Sequence, residues 1–180
     1  YFYLRRNYVR ARVDVPHHDA LWVVNVHTDA YGKDGTKKRQ IDLFTEEMQR
    51  LSAEDALVIG GGDLNAIPPA SVDVGPFEDS VCEDIEFRTD DYGEELDWLD
   101  ELYASFSPAI SLETYAADNT LHHTHTVDGR GFWNRKLDYL FTNGVWRSQS
   151  AKTLQSLDVG GYDTMPLSDH APVLATLELP

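Results

Sequence analysis

Residues 56–65 read ALVIGGGDLN: four apolar residues run into three glycines and end on a carboxylate and an amide. An apolar run this short, closed by glycine, reads as a buried strand breaking into a loop. Asp63 and Asn65 stand two apart in extended chain, so both side chains can point the same way. Pro68 and Pro69 then stop regular structure. Upstream, LWVVNVH (21–27) is nearly continuous in apolar residues, as expected of a strand covered on both faces, and it too ends on a polar group, His27. Between the two runs the spacing of Ile41, Phe44, Met48 and Leu51 predicts a helix over 37–51 with Thr36 as its N-cap. Further out, Tyr8 to Val15 alternates as a strand, 70–92 reads as an extended loop, Glu94 to Ser105 as a helix and 106–131 as irregular chain. Lys136 to Thr142 reads as a strand turned by Asn143-Gly144, and Pro172 to Leu179 as a closing strand. Strands mixed with helices and long loops predict a layered α/β or α+β fold.

The chain has 180 residues, 42% of them hydrophobic, which suits a single domain with its own core. No apolar stretch is long enough to span a membrane as a helix. One cysteine, Cys82, excludes an intramolecular disulfide framework and a cysteine-rich zinc module. The formal charge of −16 argues against a broad grip on nucleic acid. That charge is uneven: between Asp79 and Glu101 eleven acids meet one base, Arg88. The run reads as a solvated face or loop; a calcium loop is the sharper alternative, but the required spacing is absent. Arginines 5, 6, 10 and 12 and the basic group Lys33, Lys37, Lys38 and Arg39 leave a polyanion a locally positive edge.

Four segments place a compact polar group beside an apolar strand: Val26-His27-Thr28, Gly62-Asp63-Leu64-Asn65, Leu137-Asp138-Tyr139 and Ser168-Asp169-His170. Each alone has a plain structural explanation. An Asp after glycines is often a turn residue, Asp138 could pair with Arg135 or Lys136, and a lone His is often a satisfied structural residue. Together they can assemble a hydrolytic site: a carboxylate to activate water, an amide to hold a phosphate oxygen, and histidines to neutralise charge on it. Oxygen ligands with few sulfurs suit Mg²⁺ or Mn²⁺. HHTH (122–125) raises a zinc site, but no fitting fourth ligand is spaced to complete it.

In order and context the segments resemble the endonuclease/exonuclease/phosphatase superfamily with its DNase I-like fold. VVNVHT (23–28) resembles its strand-His motif, GGDLNAIP (61–68) its GDxN motif, RKLDYLFTNG (135–144) its (R/K)-x-DY-(I/L)-F motif and LSDHAPVLATLEL (167–179) its closing SDH motif. The likeness runs from residue 21 to 179. It implies a four-layer β-sandwich with helices on the outer faces, and metal-dependent hydrolysis of a phosphate ester by in-line attack of water, with Mg²⁺ or Mn²⁺ as cofactor. By position it implies that Asp63 orients and deprotonates the water, Asn65 and His27 contact the phosphate, and His170 acts as acid or hydrogen-bond donor. Asp138 would support His170, and Asp169 would hold the metal together with Asp63. Trp133 and Arg135 are candidate substrate contacts, Trp133 as a stacking surface on a base or sugar or else a core or rim residue.

Family members carry an earlier Asn and a metal-binding Glu on preceding strands, and neither context occurs here. The expectation is one domain over 1–180 that lacks the family's first strands. The substrate class stays wide: nucleic acid, phospholipid head group or small phosphorylated molecule. A weakly active or inactive binding module of the same fold is the alternative, and a dimetal phosphoesterase of another fold is disfavoured because its GDxH and GNH segments are missing. Oligomeric state and compartment stay open.

Overall fold

In the computed structural model the residues described are 8–16, 21–30, 34–69, 71, 77–78, 89–90, 93–126, 133–157 and 162–179. Strand β1 (Val9–Val13) runs antiparallel to β2 (Leu21–His27), and helix α1 (Thr36–Ala53) carries the chain back to β3 (Leu57–Asp63), which lies parallel to β2. Short strands β4 (Phe77–Glu78) and β5 (Thr89–Asp90) pair with each other. Helix α2 (Asp100–Ser105), strand β6 (Ser107–Pro108) and helix α3 (Leu112–Ala117) precede β7 (Asp138–Thr142). β7 pairs antiparallel with β3 and β6, completing a five-stranded mixed sheet in the order β1-β2-β3-β7-β6. Two-residue strands follow: β8 (Val145–Trp146), β9 (Lys152–Thr153), β10 (Ser156–Leu157), β11 (Tyr162–Asp163), β12 (Val173–Leu174) and β13 (Leu177–Glu178). They pair as β8 with β13, β9 with β12 and β10 with β11. The mixed α/β class expected from the sequence is present. No described helix is long and apolar enough to cross a membrane.

The core lies between α1 and one face of the sheet. Ile41, Phe44, Met48 and Leu51, the four residues singled out by spacing, are at most 1% exposed and pack with Val24, Val26, Val58, Tyr139 and Phe141. Burying each such side chain contributes roughly 1.5–3 kcal/mol. Glycines let the helix sit this close: a Cβ on Gly60 would stand 2.2 Å from the Met48 sulfur. Gly62 has φ 130°, and a Cβ there would stand 1.9 Å from the Val26 carbonyl oxygen, so no other residue fits that strand position.

Several boundaries differ from expectation for physical reasons. Toward its end β2 is covered on one face only: Val24 and Val26 are buried beneath α1, while Asn25 and His27 are exposed on the other side, where Leu21 is buried at the start of the strand. Helix α1 begins at Thr36, and its N-cap is Gly35 in the left-handed region; the Asp34 carboxylate accepts from the Thr36 amide at 3.0 Å and takes over the capping role from outside. The helix expected over 94–105 is broken into a 3-10 turn at Gly93–Glu95, further turns, and α2, although Leu99 and Leu102 are buried as its pattern requires. Residues 106–131 are not wholly irregular. Ser111 caps α3 by accepting from the Thr114 amide at 3.1 Å, a Ser with Glu113 in the first turn being the signal for it. The closing strand is two short pieces, yet Val173, Ala175 and Leu177 are more covered than Leu174, Thr176 and Glu178, so its alternation holds. The predicted 70–92 loop lies largely outside the described residues.

Candidate functional site

Sheet register builds the site. His27 at the end of β2 pairs with Asp63 at the end of β3, and Asp63 pairs with Asp138 at the start of β7. The three side chains therefore stand in one row across adjacent strands, on the sheet face opposite α1. His170 reaches the same row through a β-bridge to His125. His27 Nε2 lies 3.2 Å from Asp63 Oδ2, His170 Nε2 lies 3.7 Å from that same oxygen, and His170 Nδ1 lies 2.7 Å from Asp138 Oδ2. His170 thus spans two carboxylates with its two nitrogens.

The loop after β3 is held from several sides. Asp63 Oδ1 accepts from the Asn65 amide at 2.9 Å, Asn65 Nδ2 donates to the Thr28 carbonyl at 3.1 Å, and the Thr28 amide donates to the Asp63 carbonyl at 3.0 Å. Asn65 has φ 47°, a left-handed conformation that asparagine tolerates better than most residues, and it is 6% exposed. The Tyr139 hydroxyl donates to the Ala66 carbonyl at 2.7 Å, fixing the far side of the loop.

The electrostatics are those of crowded carboxylates. Burial raises the Asp63 pKa, the Asp138 charge beside it raises it further, and His170, the Asn65 amide and His27 only partly oppose this. Burial works against the His170 cation, but the hydrogen bond and charge of Asp138, with Asp63 and Asp169, outweigh it, and the His170 pKa is raised. A carboxylate whose pKa is raised is a stronger base toward water than a free one. Asp63, Asp138 and His170 each bring one ligand atom within 4.8 Å of the others, as do His125, Asp169 and His170, so either group could hold a metal ion. Hard oxygen donors and an imidazole fit a divalent cation that keeps part of its shell for water or substrate, and positive charge there would relieve the repulsion between Asp63 and Asp138.

No protein-family model matches the chain, and no curated sequence relative does. Solved structures do match. TDP2 from D. rerio complexed with single-strand DNA product aligns over 99% of this chain and 64% of its own, with TM-score 0.60 and 15% identity. An endonuclease/exonuclease/phosphatase family protein from Bacteroides thetaiotaomicron aligns over 97% of this chain and 57% of its own, with TM-score 0.59 and 17% identity. The chain has the endonuclease/exonuclease/phosphatase fold. The mannosyl-6-phosphatase Bt3783 from Bacteroides thetaiotaomicron VPI-5482 also aligns, over 89% of this chain and 52% of its own, with TM-score 0.50 and 17% identity. The chain spans less than two thirds of the length of each of these proteins.

Within this fold the structure gathers His27, Asp63, Asn65, Asp138 and His170 as neighbours. Asp169 is exposed, and its carboxylate clusters with His125 and His170 rather than with Asp63. Arg135 is 5% exposed; its Nε donates to His125 Nδ1 at 3.2 Å, so it meets the site through that ring. Neither Arg135 nor Lys136 pairs with Asp138 as an alternative to His170: the Asp138 carboxylate goes to His170, and Lys136 Nζ donates to the Asp138 backbone carbonyl at 2.8 Å. Burial lowers the Lys136 pKa to about 8. Trp133 is half-buried, and its carbonyl lies 3.1 Å from His123 Nδ1.

The HHTH histidines separate. His125 packs edge-on against His170, 4.8 Å between ring centres, and burial, Arg135 and His170 lower its pKa to about 4. With Nδ1 accepting from Arg135, its neutral ring carries the proton on Nε2. In the sequence His125 stands out only as a candidate zinc ligand. Its place between Arg135 and His170, to each of which it makes an isolated β-bridge, becomes visible only in three dimensions.

Proposed function

We propose that the chain forms the hydrolytic core of a metal-dependent phosphoric-ester hydrolase. The observation that carries this reading is the His27–Asp63–Asp138 row with His170 spanning both carboxylates. Asp63 takes a proton from water as the water oxygen attacks phosphorus. The bond to the leaving oxygen breaks on the opposite side. His170, whose protonated form Asp138 favours, donates a hydrogen bond to the phosphate as charge builds, and Asn65 and His27 hold its other oxygens. Mg²⁺ or Mn²⁺ held by Asp63 and Asp138, with Asp169 on the neighbouring side, would supply Lewis-acid stabilisation of that charge.

The single-strand DNA product of one structural neighbour supports a nucleic-acid phosphodiester as the first substrate to test, and the mannosyl-6-phosphatase supports a sugar phosphate as the second. We read the short β8–β13 and β9–β12 ladders as part of the second sheet of a four-layer sandwich. The test is hydrolysis of bis(p-nitrophenyl) phosphate, single-stranded DNA and mannose 6-phosphate with Mg²⁺ or Mn²⁺, before and after EDTA. Turnover of at least one ester that stops with EDTA supports the reading. Absence of turnover on all three, or turnover indifferent to EDTA, rejects it.

A further inference from the structure

Lys37 stands where elementary electrostatics disfavours it. It lies in the first turn of α1, beside Lys38 and Arg39, with no acid in that turn to offset the positive end of the helix dipole. It is also 2% exposed, so its ammonium has left water. An apolar side chain of similar volume would fill that space at lower cost. What the lysine supplies instead is direction. Its Nζ donates to the backbone carbonyl of Asn65 at 2.8 Å, lies 2.7 Å from Glu95 Oε2, and sits 5.5 Å above the Trp98 ring. Glu95 belongs to the acidic run that the sequence reads as a solvated face. Described neighbours in that run, Glu94, Asp97, Asp100 and Glu101, are exposed, but Glu95 is turned inward and 14% exposed. The break in the expected 94–105 helix is what brings it there.

The carbonyl Lys37 holds is that of the left-handed residue in the loop. A non-glycine residue stays left-handed only where its surroundings fix it. Releasing the Asn65 carbonyl frees the peptide to rotate toward the ordinary region, which swings the amide that Asp63 Oδ1 accepts and the side chain bonded to Thr28. We propose that Lys37, anchored by Glu95, is a positioning residue that locks the Asn65 backbone in its left-handed conformation and so aims Asn65 at the reacting phosphate. This rests on the hydrolase reading above. It joins the acidic segment to the site through one buried ion pair.

Lys37→Met and Glu95→Gln are compared in the wild-type and the Asn65→Ala backgrounds, with kcat and KM for bis(p-nitrophenyl) phosphate, thermal midpoint, and the Asn65 amide-to-Hα NMR coupling that reports φ. Lys37→Met is expected to lower kcat by about 10–100-fold, the cost of a misplaced contact group, with KM little changed. Glu95→Gln, which leaves the lysine in place should Lys37→Met fold poorly, is expected to act in the same direction and less. Both losses are expected to vanish in the Asn65→Ala background, while any drop in thermal midpoint persists in both. Equal losses in kcat with and without Asn65 overturn the proposal, since a merely structural lysine behaves that way. If the wild type turns over no ester, the hydrolase reading fails. The NMR coupling then decides the lock by itself: loss of the left-handed value in Lys37→Met or Glu95→Gln supports it, and retention overturns it.

Discussion

His170 Nδ1 lies 2.7 Å from Asp138 Oδ2, and that contact leaves the ring's other nitrogen 3.7 Å from Asp63. One carboxylate orients the imidazole and favours its charged form, and the other shares the site with it. The two acids lie side by side in register on β3 and β7, so the distances follow from strand pairing.

The first prediction concerns pH. Asp138 raises the His170 pKa, so the protonated ring persists to higher pH than a free histidine. Activity that needs the imidazolium falls as pH rises through that raised pKa. Asp138→Asn removes the charge and moves this alkaline limb downward, by about one pH unit for a lost neighbouring charge. The acidic limb, set by Asp63, also moves down, because Asp138 is one of the charges raising Asp63. A pH–kcat profile with either limb unmoved contradicts this assignment.

The second prediction removes the reacting groups. Asp63→Asn keeps the shape and the hydrogen bond to the Asn65 amide but cannot take a proton, and His170→Ala removes the donor. Each is expected to lower kcat by about 10²–10⁴-fold, the usual contribution of a general acid or base. Far-ultraviolet circular dichroism is expected to be unchanged for Asp63→Asn. Turnover within threefold of wild type in either variant, a change of about 0.6 kcal/mol, removes that residue from the chemistry.

Much of this was legible before folding. Helix α1 announced itself because four apolar residues at helical spacing face one way, and β2 and β3 because apolar runs ended on His27 and Asp63. The polar ends of separate strands could be read as site candidates because a charge in strand-like sequence is costly without a partner. What stayed hidden depends on contacts between distant segments. Nothing local to Glu95 distinguishes it from exposed Glu94. Nothing in HHTH says that His125 meets His170 while His123 turns to Trp133. The N-cap was misplaced because Asp34 substitutes for Thr36 as acceptor, a choice made by loop geometry.

The third prediction tests the glycine at φ 130°. Gly62→Ala forces a Cβ against the Val26 carbonyl, and backbone, unlike a flexible side chain, has little freedom to yield. The expected loss exceeds the ~1 kcal/mol seen where alanine merely suits a position poorly, and reaches several kcal/mol if β2 and β3 must separate. Because His27 and Asp63 pair one residue along, the variant is expected to lose activity together with stability. Chemical denaturation with matched activity assays checks both. Stability equal to wild type contradicts the close approach of these strands.

The last prediction concerns an ion pair that ties the sheet edge to the helix. Glu47, on α1, is 8% exposed and accepts from Arg50 Nε and Nη2 at 3.0 and 2.9 Å, and from Arg10 of β1 at 2.5 Å. The Arg50 hydrogen bonds, outweighing burial, lower its pKa from 4.5 to about 2, with Arg10 adding to the effect. A depressed carboxylate stabilises the folded state fully above its unfolded pKa near 4.5 and loses that contribution as pH falls toward about 2. Glu47→Gln is therefore expected to be less stable than wild type at pH 7 by about 1 kcal/mol, since both arginines are half-exposed and the pair is screened by solvent. The difference is expected to shrink steadily between pH 4.5 and 2, where protonation makes the two side chains alike. Adding 1 M NaCl at pH 7 is expected to narrow it as well. Urea denaturation across this pH range measures it. A stability difference independent of pH places the effect in packing rather than charge.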